Sequence, residues 1–162
     1  MRGLILIGTT AAAYNPAQKA GFENVLMGQW VEGTGALESL CSSIAAAQVG
    51  GDPERHREPW VREWVGGDRA RWRLAVRCLI DRQSIESHVP EITAPALLMR
   101  GFGDQVLTED VMSALRGQLG GETRLETITA DGVTHMCTWT NPELTDPVIR
   151  KFLDELPAEL PG

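Results

Sequence analysis

Apolar positions along the chain follow two rhythms. Leu4, Ile5, Leu6 and Ile7 form a continuous apolar run that closes at Gly8. Such a run predicts a strand buried on both faces, the kind found inside parallel sheets. After a Thr- and Ala-rich loop over residues 9–15, the spacing turns helical. Phe22, Val25, Leu26, Met27 and Trp30 make one stripe, and Leu37, Leu40, Cys41 and Ile44 a second, with Gly33-Thr34-Gly35 between them. Trp60 and Trp64 follow at helical spacing, between the breaks Gly50-Gly51-Asp52-Pro53 and Gly66-Gly67. The spacing predicts a longer helix from Asp68 to about Gln83, with Trp72, Ala75, Val76, Leu79 and Ile80 inward. Residues 16–83 are thus expected to be wholly helical, in short kinked pieces.

The period then changes. Ile92-Thr93-Ala94-Pro95 leads into a second buried run, Ala96 to Met99. Thr108 stands as an N-cap, with Glu109 and Asp110 in the first turn of a helix that carries Val111, Met112 and Leu115 and stops near Gly120-Gly121. Residues 123–129 alternate around Leu125 and Ile128 and suit a strand near a sheet edge. Asp146 and Pro147 read as the cap and first position of a last helix that buries Val148, Ile149, Phe152, Leu153 and Leu156. The order is strand, helical block, strand, helix, strand, helix. That is an α/β order with a helical insertion after the first strand.

Composition narrows the class. With 162 residues, 43% hydrophobic and 23% charged, the chain suits one globular domain. A formal net charge of -7 argues against nucleic acid and anionic membrane surfaces as partners. The basic residues between Arg55 and Arg82 are interleaved with Glu54, Glu58, Glu63, Asp68 and Asp81, so they read as a solvated helical face. Three cysteines, Cys41, Cys78 and Cys137, are widely spaced and are expected to be small buried groups in a reduced, cytoplasmic protein. No apolar run approaches a membrane span, and the N-terminus lacks signal-peptide features. Neither a phosphate loop nor metal-ligand spacing occurs, so no cofactor and no metal are expected.

Candidate chemistry lies at two strand ends. Asp104 follows Ala96 to Met99 through Arg100-Gly101-Phe102-Gly103, and His135 follows the third strand through Ala130-Asp131-Gly132-Val133-Thr134. A histidine acting as general base needs a partner carboxylate that fixes its tautomer and stabilises the imidazolium. Taken singly, Asp104 could be a turn residue and His135 a capping or surface histidine. Asp131 reads as a loop residue, and His56 and His88 as solvent-exposed. Trp30, Trp60, Trp64 and Trp72 either pack the helical block on itself or line a binding pocket. The serines, Ser39, Ser42, Ser43, Ser84, Ser87 and Ser113, include none in a Gly-x-Ser-x-Gly context.

These residues carry a resemblance. Pro95-Ala96-Leu97-Leu98-Met99-Arg100-Gly101-Phe102-Gly103-Asp104, then Gly132-Val133-Thr134-His135, then Pro142-Glu143, resemble the C-terminal half of the α/β-hydrolase family. Residues 2–9 resemble the strand that follows that family's nucleophile helix, and the helical block is similar to the cap of its enol-lactonase and esterase-like branch. The resemblance implies an incomplete α/β-hydrolase domain: core strand and loop at 1–15, helical cap at 16–88, C-terminal α/β segment at 89–162. It implies Asp104 as the orienting acid and His135 as the base of a serine hydrolase acting on an ester, lactone or related acyl compound. The nucleophile elbow and oxyanion donors are expected to lie before Met1, so the chain alone is expected to be inactive. The expected partners are a small ester-like substrate and either the missing N-terminal half or a second copy. A reading from another class stays open, a non-catalytic interaction or dimerisation module derived from a hydrolase.

Overall fold

A computed structural model describes residues 1–157. Strands β1 (Leu4–Ile7), β2 (Ala96–Gly101) and β3 (Thr123–Ile128) form a parallel sheet in the order β1-β2-β3. Leu4 pairs with Ala96, and Ala96 with Thr123, so the strands start in step. Alternation splits their side chains into two cores. Leu4, Leu6, Ala96 and Leu98 pack with Met112 and Leu115 of helix α5 (Glu109–Gln118). Ile5, Ile7, Leu97 and Met99 pack with Val148, Ile149 and Phe152 of helix α7 (Pro142–Glu155). β2 is therefore buried along its whole length. At about 1.5–3 kcal/mol per buried Leu, Ile or Met, it anchors the site that follows it.

β1 is only half-buried along its length, against the expectation of full burial. Its outer edge has no strand partner among the described residues. The side chains face the two cores, but one flank stays open to solvent.

The block between β1 and β2 is helical, as the spacing predicts. It comprises α1 (Pro16–Phe22), α2 (Leu37–Ile44), α3 (Glu58–Gly66) and α4 (Arg73–Asp81), joined by short π-type and 3₁₀ pieces. The π-type stretch Glu23–Val31 continues α1. Met27, Val31, Val76 and Ile80 form a separate small core there. Trp72 and Leu79 are each 37% exposed, and Ala75 is exposed, so the inward face of α4 is narrower than the stripe predicts. Only residues four apart on that short helix point at the Glu23–Val31 stretch.

Three helix details depart from the sequence reading. α7 starts at Pro142 behind Asn141, so Asp146 is no cap and Pro147 lies inside the helix. Pro142 already provides the favoured first position. The missing amide of Pro147 frees the carbonyl of Glu143, and both residues are exposed, where water can serve instead. Leu153 is 49% exposed rather than buried. Thr108 holds the N-cap position, yet its side chain makes no capping hydrogen bond.

Cys41 and Cys137 are buried as expected, but Cys78 is exposed. Burial pushes both buried thiols above their ordinary values; at Cys41 the charge of Arg69 opposes this in part. A thiol reagent such as Ellman's is therefore expected to modify Cys78 rapidly in the native protein and the other two only upon unfolding. Rapid native-state loss of all the thiols would contradict this packing.

Candidate active site

The site forms where β2 and β3 end. β2 runs into a tight turn in which the Asp104 amide donates to the Gly101 carbonyl at 3.1 Å. Asp104 is 2% exposed. One carboxylate oxygen, Oδ1, accepts hydrogen bonds from the amides of Val106 and Leu107, both at 2.9 Å. The other, Oδ2, lies 2.8 Å from Nδ1 of His135. Burial works against the charged carboxylate, but the His135 hydrogen bond and the Leu107 and Val106 amides outweigh it and hold the acid below its ordinary value. The structure thus brings together the two residues that the motifs single out. Asp131 is exposed in its turn and takes no part.

A carboxylate only accepts hydrogen bonds, so Nδ1 of neutral His135 carries the ring proton. Nε2 is then the basic position. The ring is partly open, with its side chain 32% exposed while that of Asp104 is 1% exposed. This arrangement can accept a proton at Nε2 and stabilise the resulting imidazolium through a buried anion.

The loops that carry the pair are braced from both sides. Phe102 donates to the Ile128 carbonyl at 2.9 Å, and Gly103 to the Val133 carbonyl at 3.1 Å, which ties the acid loop to the histidine loop. From the helical block, the Gln48 carbonyl accepts from Thr134 Oγ1 at 2.9 Å and from the Met136 amide at 3.0 Å. The Gly51 amide donates to the Gly132 carbonyl at 2.8 Å. The block therefore holds the histidine loop in place as well as covering the sheet end.

Several contributing residues lie within the runs quoted for the resemblance, which assign them no role. Arg100 is 4% exposed and donates to the carbonyls of Leu107, Phe102 and Asp104 at 3.2, 3.1 and 3.3 Å, spanning the acid loop. Gly8 ends β1 with φ +49° beside the His135 ring. A side chain at Gly101 would meet the Thr134 backbone carbonyl. The only sequence signal for these is a glycine or arginine at a strand end, which many turns share.

A cavity of about 970 Å³ opens beside His135. Gly8, Thr9 and Thr10 contribute from the sheet side, and Tyr14, Phe22, Leu26, Ile44 and Leu79 from the helical block. None of the tryptophans lines it. Trp72, Trp30, Trp64 and Trp60 instead stack in succession at centroid distances of 6.0, 6.5 and 5.7 Å. Trp60 then meets Trp139 of helix α6 (Cys137–Thr140) at 6.2 Å, so the tryptophans fasten the block to itself and to the segment after His135. Pocket walls are made by aliphatic residues and smaller aromatics, which helical spacing does not distinguish from core.

The remaining histidines stand elsewhere. His88 is exposed, 3.5 Å from Glu91. His56 is half-buried rather than solvent-exposed, and its Nδ1 accepts from the Asp52 amide at 3.0 Å at a helix start. Among the described residues, no group of His, Cys, Asp and Glu is placed to hold a metal ion, and no helix is long and apolar enough to cross a membrane.

Known proteins share this architecture. No family model matches the chain. A curated relative described as a probable esterase, from Oryza sativa subsp. japonica, is 25% identical over 134 residues, covering 82% of this chain and 49% of that protein. The chain thus spans about half the length of the curated relative it matches. A thermophilic esterase from Thermogutta terrifontis superposes with a TM-score of 0.78 at 19% identity, over 95% of this chain and 56% of that one. An esterase from Exiguobacterium antarcticum gives 0.74 at 16% identity, over 95% and 57%. The enol-lactonase of Burkholderia xenovorans LB400 gives 0.70 at 20% identity, over 96% and 57%. The chain has the α/β-hydrolase fold, and it represents the C-terminal portion of that fold's sheet with a helical insertion after its first strand.

Proposed function

We propose that the chain supplies the acid and the base of a serine-type α/β-hydrolase that cleaves an ester, lactone or related acyl compound. The observation that carries this reading is the buried Asp104 carboxylate 2.8 Å from Nδ1 of a partly open His135. The adjoining cavity has room for a small organic substrate. In the reaction, Nε2 of His135 takes the proton of a serine hydroxyl as its oxygen attacks the carbonyl carbon. The same proton passes to the departing alcohol as the C–O bond breaks. Water, deprotonated by His135, then releases the acid and restores the serine. The serine belongs to a Gly-x-Ser-x-Gly segment that this chain does not contain.

That segment has a natural neighbour in β1, whose outer edge is unpaired among the described residues. The same edge supports the second reading, an interaction module in which a second copy pairs with β1 without catalysis.

Hydrolysis of a p-nitrophenyl ester separates the two. The chain alone is expected to be inactive. Joined to a segment bearing the nucleophile, it is expected to turn over, and His135→Ala to abolish that turnover. Undiminished turnover in His135→Ala would remove histidine from the base role. A stable homodimer together with a joined protein that shows no turnover would favour the interaction module.

A further inference from the structure

Every residue of β2 is buried, and all but one of them are uncharged. The exception is Arg100. Among the described residues, no Asp or Glu stands within ion-pair distance of its guanidinium. A buried cation without an anion is costly, and an apolar side chain of similar volume would avoid that cost. What the guanidinium gains is three carbonyls of one loop. Its Nε donates to Leu107, and its Nη2 to Phe102 and Asp104.

Leu107 connects this grip to the acid. Its carbonyl accepts from Arg100 at 3.2 Å, while its amide donates to Asp104 Oδ1 at 2.9 Å. Asp104 is held in the same two-sided way. Arg100 Nη2 donates to its carbonyl at 3.3 Å, and its amide donates to the Gly101 carbonyl at 3.1 Å. A carboxylate is planar, so fixing the backbone and Oδ1 sets the direction of Oδ2. Oδ2 is the oxygen 2.8 Å from Nδ1 of His135. Side-chain packing gives this loop less support, since Phe102, Gln105 and Val106 are all exposed.

We infer that Arg100 is a positioning residue: through Leu107 and the Asp104 backbone it aims the Asp104 carboxylate at Nδ1 of His135, and so fixes the tautomer that leaves Nε2 basic. This rests on the hydrolase reading for the reaction that the tautomer serves. The tautomer itself requires no nucleophile, because the hydrogen bond at one ring nitrogen decides which nitrogen carries the proton. A planar guanidinium can hold several carbonyls in fixed directions, whereas an ammonium acts as a point charge.

Nitrogen-15 NMR of the chain with labelled histidines, at a pH where the rings are neutral, reports which nitrogen carries the proton. In the unaltered chain His135 is expected to carry it on Nδ1, with His135→Ala assigning the signals. Arg100→Met keeps an apolar stem without the donors. It should move the proton largely to Nε2, while circular dichroism shows the fold retained. Arg100→Lys should keep a larger Nδ1 share than Arg100→Met. Joined to a segment bearing a nucleophilic serine, Arg100→Met should lower kcat by about 10²-fold with KM little changed. A folded Arg100→Met protein with the proton still on Nδ1 would overturn the inference. So would loss of the fold in both variants, since Arg100 would then be a general support of β2. A proton found on Nε2 in the unaltered chain would remove the Asp104–His135 pair itself, and the hydrolase reading with it. A proton that moves in Arg100→Met while turnover stays undiminished would uphold the aiming of Asp104 and remove His135 from the base role.

Discussion

Asp104→Asn is expected to lower ester hydrolysis by about 10⁴-fold when the chain is joined to a segment bearing a nucleophilic serine. Hydrogen-bond polarity decides the outcome. Oδ1 already accepts from the amides of Val106 and Leu107, so the carbonyl oxygen of an asparagine takes that place. Its NH₂ group then faces Nδ1 of His135, where Oδ2 now stands. An NH₂ donates, so Nδ1 must accept and the ring proton moves to Nε2. The histidine is present and well placed but in the wrong tautomer to take a proton. The effect should fall on kcat, with KM little changed, because the cavity walls are untouched. A loss of less than about tenfold would mean that Asp104 does not orient the base.

The same substitution has a pH signature in stability. The Asp104 carboxyl is held below its ordinary value in the folded chain: burial opposes ionisation, but the His135 bond and the two amides prevail. Between the folded and unfolded values, the unfolded chain binds the additional proton. The stabilisation is complete above the unfolded value, about 3.9, and is lost as pH falls through the folded value. Asparagine does not titrate. Urea unfolding should thus show the variant less stable by about 1–3 kcal/mol near neutrality. The gap should narrow below about pH 4. A gap of constant size across that range would place the carboxylate outside the acid-sensitive part of the fold.

The sequence exposed Asp104 and His135 because each follows the end of a strand through a recognisable turn. A buried run such as Ala96 to Met99 fixes where the strand ends, and a polar residue just beyond it has few places to go. It did not expose what holds them. Arg100 reads as one turn residue among others until its donors are seen on the carbonyls of Phe102, Asp104 and Leu107. The contact of Gln48 with Thr134 and Met136 joins residues 86 or more positions apart through the Gln48 backbone carbonyl, for which no residue type is a marker. Helical periodicity located the block but misjudged α4, because a stripe specifies direction and not the width of the surface that meets it. The tryptophans invited a pocket role through size alone; partners for their faces come from one another, and only the fold brings those faces together.

The glycine that ends β1 is the second point at which a small change is expected to have a large effect. Gly8 has φ +49°, and a Cβ built there stands 2.7 Å from Cε1 and 2.8 Å from Nδ1 of His135. In Gly8→Ala the backbone itself costs about 1–2 kcal/mol in the left-handed region. The methyl group also requires the imidazole to move, and Nδ1 is the atom that holds the Asp104 contact. A shift of about 1 Å at a reacting group can cost on the order of 10²-fold. Turnover in the joined protein should therefore fall by about 10²-fold, beyond what the stability loss explains at temperatures where the variant stays folded. Gly117→Ala supplies the comparison, since α5 presents open space at that position. It should stabilise by about 0.5–1 kcal/mol and leave turnover unchanged. If Gly8→Ala kept full turnover as well, the space between β1 and the imidazole would have no part in setting the base, and placement by Asp104 alone would suffice.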